Sequence, residues 1–174
     1  MRVWARLHEW GSLLSRGALN LTQVAPKLWV GGAIPRSRYG ELRILGVDAV
    51  IDLREEAKDD AAALAELGIE LLHLPAKDRF AASAEQLLRG VDWALPRLAA
   101  ERGVFVHCQH GVGRGPLMGV ALLVAQGATP DDAYAQVRQA RWQVALNDRQ
   151  LAGLSAFIEA WRARVGFPSG AASP

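Results

Sequence analysis

The chain has 174 residues, 51% of them hydrophobic, and a formal net charge of +2 at pH 7. This length and composition are typical of one globular domain. Only one cysteine is present, which excludes an intramolecular disulfide and therefore a disulfide-stapled secreted scaffold. The basic residues are scattered without interleaved aromatic residues, which argues against nucleic-acid binding.

The first 22 residues are predicted to form an amphipathic helical extension (1–22), because apolar residues recur there at helical spacing: Val3, Trp4, Leu7, Trp10 and Leu14. We interpret it as a helix that packs on the domain or on a partner chain. Since arginines outnumber the single Glu9 in this stretch, peripheral membrane contact through residues 1–20 or mitochondrial targeting are alternatives to a cytoplasmic protein. A folded domain is expected over residues 23–167 and a flexible tail over 168–174.

Strands and helices alternate in the rest of the chain. Four strands are predicted: Leu28–Gly31, Val47–Leu53, Ile69–Leu74 and Val104–Cys108. Helices are predicted over 84–100, from Thr129-Pro130-Asp131 onward, and over 148–164. The apolar run Leu117–Ala125 is too short to span a bilayer and indicates a core helix. The alternation predicts an α/β fold, with a central mostly parallel sheet of about four to five strands and helices on both faces.

The sequence HCQHGVGR, from His107 to Arg114, lies between the last predicted strand and the core helix. In such a loop the backbone N–H groups can converge on an oxyanion, and the helix N-terminus adds positive potential. That potential favours the thiolate of Cys108, the nucleophilic form. A guanidinium can bind two phosphate oxygens at once. The segment therefore predicts a phosphate-transfer site with a phosphate loop formed by Gln109, His110, Gly111, Val112, Gly113 and Arg114. The alternative is an ordinary turn with an incidental buried cysteine.

The spacing of His107, Cys108 and Arg114 resembles the signature of the cysteine-dependent protein tyrosine phosphatases, in their compact dual-specificity branch. The run from Gly111 to Val124 is most similar to the phosphatases of regenerating liver. The resemblance covers roughly residues 24–161. It implies a dual-specificity-phosphatase-like fold and hydrolysis of phosphomonoesters through a cysteinyl-phosphate, without a metal or other cofactor. It also implies that His107 supports the loop and the thiolate rather than acting as a base.

The family mechanism requires a general acid on a loop upstream of the cysteine, and Asp78 is the candidate. It follows the predicted strand Ile69–Leu74, at the edge of the sheet where α/β proteins bind ligands. The alternative is a solvated loop aspartate. Glu55 and Glu56 are expected to begin a solvated helix. Arg54 is expected to form a surface ion pair, although it could also reach a second acidic group of the substrate.

Most members of the family have a serine or threonine directly after the signature arginine, where its hydroxyl bonds to the departing sulfur. Here that position is Gly115, and the regenerating-liver branch also lacks the hydroxyl. The hypothesis is that breakdown of the cysteinyl-phosphate is slow and limits turnover.

The segment from Arg141 to Leu151 resembles the family segment that flanks the active site. Asn147 and Gln150 are candidates for placing the hydrolytic water there. The alternatives are a helix cap for Asn147 and a surface side chain for Gln150.

The substrate is expected to be a phosphorylated protein, which makes the chain a dual-specificity protein phosphatase for phosphotyrosine, phosphoserine or phosphothreonine. The alternatives are a phosphorylated lipid or small molecule, such as an inositol phosphate or phosphatidylglycerophosphate, and a pseudophosphatase that binds phosphoproteins without turnover. Because Gln109, His110 and Val112 include no lysine, the loop argues against an inositide substrate. The oligomeric state is left open.

Overall fold

A five-stranded sheet forms the centre of the protein in a computed structural model, which describes residues 17–166. In spatial order the strands are β1, β2, β5, β3 and β4. Strand β1 pairs antiparallel with β2, and all the other pairs are parallel. The strands cover β1 (Leu21–Ala25), β2 (Leu28–Gly31), β3 (Val47–Arg54), β4 (Glu70–Ala76) and β5 (Gly103–His107).

Helices cover both faces of the sheet. Residues 17–166 contain six α-helices: α1 (Tyr39–Ile44), α2 (Ala61–Glu66), α3 (Ala84–Ala99), α4 (Arg114–Ala125), α5 (Pro130–Ala140) and α6 (Asp148–Val165); a 3₁₀ turn (Arg36–Arg38) precedes α1. Helices α3 to α6 share one hydrophobic core with the sheet, whereas α1 and α2 pack in a second, smaller core on the opposite face. The predicted α/β fold, with its mostly parallel sheet and helices on both faces, is confirmed.

The central strand β5 is buried on both faces, which explains its continuous apolar sequence. Val104 and Val106 contribute to the larger core, while Phe105 between them contributes to the smaller one. Helix α4 is buried over nearly its whole length, because it is enclosed between the sheet and the other three helices of its layer.

Several element bounds differ from the prediction. Strand β1 begins at Leu21, so the boundary expected between residues 22 and 23 lies inside a strand. Strand β4 continues past Leu74 to Ala76 despite Pro75, because it is an edge strand with a free side. The predicted helical extension covers residues 1–22, of which residues 1–16 lie outside the described part of the chain. The predicted tail over 168–174 also lies outside it. Among residues 17–166, no helix is both long and apolar enough to cross a membrane.

The parallel pairing brings three loops to one edge of the sheet. Strands β3, β4 and β5 all end there, at Arg54, Ala76 and His107. The residues that follow these strands are therefore neighbours, although they are far apart in sequence.

Candidate active site

The loop that follows β5 begins with Cys108 and leads into α4 at Arg114. The Cys108 side chain is buried, with 3% of the residue exposed. Gly111 has φ +70, and a Cβ built there would lie 2.3 Å from the carbonyl carbon of Gly31. This position therefore requires glycine for its backbone conformation and also for the space it occupies.

Four successive carbonyl groups of this loop accept hydrogen bonds from outside it. The N–H of Ala33 donates to the Gln109 oxygen at 3.1 Å, and that of Ala145 donates to the Val112 oxygen at 3.1 Å. The Arg141 guanidinium donates to the His110 and Gly111 oxygens. Within residues 17–166, by contrast, the backbone N–H groups of residues 109–113 donate to no protein acceptor. The loop therefore leaves a set of amide donors for an anion.

Arg141 lies buried beneath this loop and is 4% exposed. Its Nε is 2.7 Å from the Gly111 oxygen, and its Nη2 is 3.0 Å from the His110 oxygen and 2.6 Å from Asn20 Oδ1. Burial lowers the pKa of this guanidinium, and the negative charge of Cys108 acts in the opposite direction. In the described part of the chain no carboxylate pairs with it, so its positive charge is available to the loop.

Arg114 is positioned by Glu56 and by the end of β4. Two of its N–H groups bond to the two oxygens of Glu56, both at 2.7 Å, and a third bonds to the Ala76 oxygen at 2.9 Å. The bond to Glu56 raises the pKa of Arg114, and the same bond lowers the pKa of Glu56 from 4.5 to about 2. Glu56 was expected at a solvated helix start, but its carboxylate instead fixes the signature arginine. Among residues 17–166 the Nε–H has no protein acceptor, and the second N–H of Nη2 has only the Asp78 carboxylate within ion-pair distance, so both can turn to a phosphate.

Asp78 follows β4 and lies beside Arg114, with 3.2 Å between its Oδ1 and the arginine Nη2. Its side chain is 68% exposed. It borders a cavity of about 350 Å³ that also contains Cys108. The structure thus brings the three predicted catalytic side chains to one cavity, which is lined by Asp78, Arg79, Cys108, His110, Val112, Gly113, Arg114, Ala145, Asn147 and Gln150.

Helix α6 holds the loop that carries Asp78, which we call the acid loop (residues 77–83). Asn147 Nδ2 donates to the Arg79 oxygen at 2.9 Å, and the Arg149 guanidinium lies 4.4 Å from the centre of the Phe80 ring. A Cβ built on Gly153 would lie only 2.2 Å from the Ala81 Cβ. The glycine therefore allows α6 and the acid loop to approach each other.

Asn147 and Gln150 form a reciprocal capping box at the start of α6. Asn147 is thus a helix cap, and it also lines the cavity. The expectation of a surface position for Gln150 is wrong, because only 3% of the residue is exposed. Its amide fills the space beside Gly113, where a Cβ would lie 2.5 Å from Nε2. The pair connects the acid loop to the phosphate loop.

His107 is fully buried behind the cysteine. Its Nε2 lies 2.9 Å from Asp59 Oδ2, its Nδ1 lies 3.2 Å from the Cys108 oxygen, and its ring stacks on Phe105 at 5.1 Å. These contacts hold the ring away from the cavity, whose lining does not include His107. His110, in contrast, is exposed and lines the cavity.

A buried ion-pair cluster surrounds His107. Arg54 bonds to both Asp52 and Asp59 and is 7% exposed, so the expectation of a surface ion pair is wrong. Burial acts to raise the pKa of Asp52, but the bond from Arg54 and the nearby His107 outweigh it and lower the pKa. Asp52, Asp59 and His107 each offer one ligand atom within 4.8 Å of the others. The Arg54 guanidinium supplies the positive charge that a metal ion would otherwise bring.

Gly115 lies where α4 approaches the end of β5. A Cβ at this position would lie 3.1 Å from His107 Cα and 3.2 Å from Cys108 N. These separations are short for carbon contacts, so a side chain here requires a small shift of the backbone that carries the cysteine.

Sequence reasoning missed Glu56 and Arg141 as parts of the site. The sequence indicated only a solvated helix start at Glu56. Its partner Arg114 lies 58 positions later, so no local pattern connects the two residues. Arg141 stands at the end of α5, where a basic residue is also explained by the helix dipole. The only sequence signal for it was its place at the start of the segment that resembles the family's active-site flank.

A protein-family model described as "Polymorphic toxin system, DSP-PTPase phosphatase" matches residues 28–128. Phosphatidylglycerophosphate phosphatase PTPMT1 of Arabidopsis thaliana is 32% identical over 120 residues, which cover 66% of this chain and 36% of that protein. The chain therefore spans little more than a third of that relative's length.

Solved structures share the fold. Tk-PTP, in its active form, superposes with a TM-score of 0.74 and 27% identity, over 80% of this chain and 97% of that chain. A structure of PTPMT1 gives a TM-score of 0.78 at 23% identity, over 85% and 99%. Human DUSP28 gives 0.71 at 22% identity, over 84% and 97%. At these lower identities PTPMT1 and DUSP28 support the fold alone.

The pairing of Glu56 with Arg114 generates a prediction about stability and pH. The folded-state pKa of Glu56 is about 2, below its ordinary 4.5, so the pairing stabilises the fold above pH 4.5 and is lost as the pH falls toward 2. We expect Glu56→Gln to lower the free energy of unfolding at pH 7 by about 1 kcal/mol. The effect is this small because the Glu56 carboxylate is partly exposed, so that solvent screens the pair. Below pH 4.5 the variant should lose less stability than the wild type, as measured by urea unfolding.

Glu55→Gln is the matched control, because it removes the same charge from the neighbouring exposed position. It should keep the wild-type pH profile. If the two variants give the same profile, the Glu56–Arg114 pair does not stabilise the folded protein.

Proposed function

The chain belongs to the DSP-PTPase phosphatase family, whose model covers residues 28–128, and we propose that it hydrolyses phosphomonoesters through a cysteinyl-phosphate on Cys108. The observation that carries the proposal is that Cys108, Arg114 and Asp78 line one cavity beside a loop whose amides have no acceptor among residues 17–166. No metal or cofactor takes part in the proposed reaction.

In the first step the Cys108 thiolate attacks phosphorus in line with the leaving oxygen. The amides of residues 109–113 and the free N–H groups of Arg114 bind the other phosphoryl oxygens and stabilise their charge. Asp78 donates its proton to the leaving oxygen as the phosphorus–oxygen bond breaks and the phosphorus–sulfur bond forms. The alcohol or phenol then leaves the cavity.

In the second step water attacks the phosphorus of the cysteinyl-phosphate. Asp78, now a carboxylate, takes a proton from that water, the phosphorus–sulfur bond breaks, and the thiolate is restored with release of phosphate. Gln150 and Asn147 are proposed to help place the water, since both line the cavity. His107 is proposed to support the loop from behind, together with Asp59.

Two substrate classes fit this site. A phosphorylated protein residue, tyrosine or serine and threonine, is the first, as expected for a dual-specificity protein phosphatase. A lipid phosphate is the second, favoured by the 32% identity to a phosphatidylglycerophosphate phosphatase and by a solved PTPMT1 complex with PI(5)P. With a lipid substrate, residues 1–20 would contact the membrane. The finer likeness to the phosphatases of regenerating liver rests only on the run from Gly111 to Val124.

Substitution of the nucleophile tests the proposal. We expect Cys108→Ser to reduce hydrolysis by about 10⁴-fold or more, because a serine hydroxyl here has no base to activate it. The measurement is phosphate release from a phosphotyrosine peptide, a phosphoserine peptide, a phosphoinositide and phosphatidylglycerophosphate. Hydrolysis that survives in Cys108→Ser would show that the reaction is not covalent at this residue. Binding of the peptides without turnover by the wild type would identify a pseudophosphatase.

Gly115 predicts a slow second step. With p-nitrophenyl phosphate, the wild type should release a burst of nitrophenolate equal to the enzyme concentration, followed by slow turnover. Gly115→Ser should turn over about tenfold faster than Gly115→Ala, because its hydroxyl can bond to the departing sulfur. The alanine variant is the steric control, since it adds the same Cβ at 3.1 Å from His107 Cα. Rapid-quench kinetics measure both phases, and equal turnover of the two variants contradicts the hypothesis.

The approach of α6 to the acid loop predicts an effect that depends on the leaving group. Gly153→Ala must move the loop, because its Cβ would lie 2.2 Å from the Ala81 Cβ. We expect kcat/KM for phenyl phosphate, which reports the first step, to fall about tenfold, with a smaller loss for p-nitrophenyl phosphate, whose leaving group needs less protonation. Gly40→Ala is the control, because a Cβ there has nothing within 4 Å. An equal loss on both substrates would mean that α6 does not position Asp78.

A further inference from the structure

Arg79 is an unpaired cation in the wall of the catalytic cavity. It lines the same cavity as Cys108, and within residues 17–166 its guanidinium has no ion-pair or hydrogen-bond partner. Arg114 is paired with Glu56 and has N–H groups left only for the phosphoryl group that is transferred, and Arg141 bonds to loop carbonyls. Among the described residues that line this cavity, Arg79 is therefore the cation available for a second anion.

The backbone of Arg79 is held in an uncommon conformation. Its φ is +63, in the left-handed region that a non-glycine residue seldom adopts. Its carbonyl oxygen accepts the hydrogen bond from Asn147 Nδ2, so helix α6 fixes the residue at the cavity. Such conformations persist where the surrounding structure determines them, and they concentrate at ligand-binding positions.

Two more cations pack against the ring of Phe80, the residue that follows Arg79. Lys77 Nζ lies 5.2 Å and the Arg149 guanidinium 4.4 Å from the centre of that ring. The cavity volume of about 350 Å³ lies within the range of small-molecule sites, about 300–1,000 Å³. The site therefore has room and positive charge for a group beside the phosphoryl group being transferred.

We propose that Arg79 forms a second anion subsite, which binds a phosphodiester group of the substrate next to the phosphomonoester held by Arg114. The inference rests on the proposed phosphatase function and narrows its substrate. The substrate carries two phosphates, of which one is cleaved and the other is retained as a handle.

The surroundings of the opening favour a glycerophospholipid as the source of this second phosphate. Trp142 is 82% exposed, Phe80 37% and Val112 36%. Val112 lines the cavity, whereas Phe80 follows Arg79 in the acid loop and Trp142 follows Arg141 in the chain. Exposed aromatic residues beside cations suit an anionic membrane surface, where tryptophan is enriched.

A pair of soluble substrates tests the subsite without a membrane. Dibutanoyl-phosphatidylglycerophosphate carries a phosphodiester beside the cleavable phosphate, whereas glycerol 3-phosphate presents the cleavable phosphate alone. We expect the wild type to have a kcat/KM at least about tenfold higher for the first, which corresponds to one charge-assisted contact. No preference between the two substrates in the wild type would overturn the proposal.

Variants of the cation assign the preference to a residue. Arg79→Ala should bring the ratio of the two kcat/KM values close to one, and Arg79→Lys should restore part of it as a point charge. Arg89→Ala, which removes the same charge from an exposed position on α3, should keep the wild-type ratio. An equal loss on both substrates in Arg79→Ala would mean that the residue only shapes the acid loop, and would overturn the subsite.

A third arm separates a lipid from a protein source of the second anion. Two phosphotyrosine peptides, with glutamate or glutamine next to the phosphotyrosine, are compared in the wild type and in Arg79→Ala. The proposal is overturned if the glutamate preference depends on Arg79 and the preference for the dibutanoyl lipid does not. Failure to hydrolyse any phosphomonoester would instead contradict the proposed function itself, so the two failures are distinguishable.

Discussion

The arrangement of the phosphate loop depends on one buried guanidinium. Arg141 donates through Nε to the Gly111 oxygen and through Nη2 to the oxygens of His110 and of Asn20, the residue before β1. An unpaired buried cation is costly, and here only neutral oxygens compensate it. With the carbonyls turned toward this cation, the amides of the loop are left for a ligand. The same residue thus fixes the shape of the loop and gives it an uncompensated positive charge.

Two other arginines near the loop, Arg114 and Arg54, are paired with carboxylates. Arg114 and Glu56 form a two-pronged pair at the mouth of the cavity, which holds the guanidinium in place and still leaves N–H groups for phosphate. Behind the loop, Arg54 bonds to both Asp52 and Asp59 and offsets one of their two negative charges. Fixed donors of this kind need no reorganisation when charge develops on the phosphoryl oxygens.

The sequence allowed the local parts of the structure to be predicted. Strand β2 is predicted over Leu28–Gly31, as observed. Asp78 is predicted on a loop that follows a strand, and in the structure this residue lines the same cavity as Cys108. Local periodicity, caps and the loop motif carry that information. The partners of Arg114 and of the loop carbonyls were missed, because their contacts join residues whose separation in sequence has no local signal. The burial of Gln150 could not be predicted either, because a capping box is found on exposed helices as well as on buried ones.

The central position of β5 has a consequence for how the protein acquires its activity. Residue 28 in β2 pairs with residue 104 in β5, and β5 also separates β2 from β3. During synthesis the hairpin of β1 and β2 therefore cannot join the sheet until β5 has been made, about half of the chain later. Contacts of such long sequence separation slow folding. Since Cys108 follows the strand that completes the sheet, a nascent or truncated chain that lacks this strand also lacks the proposed nucleophile.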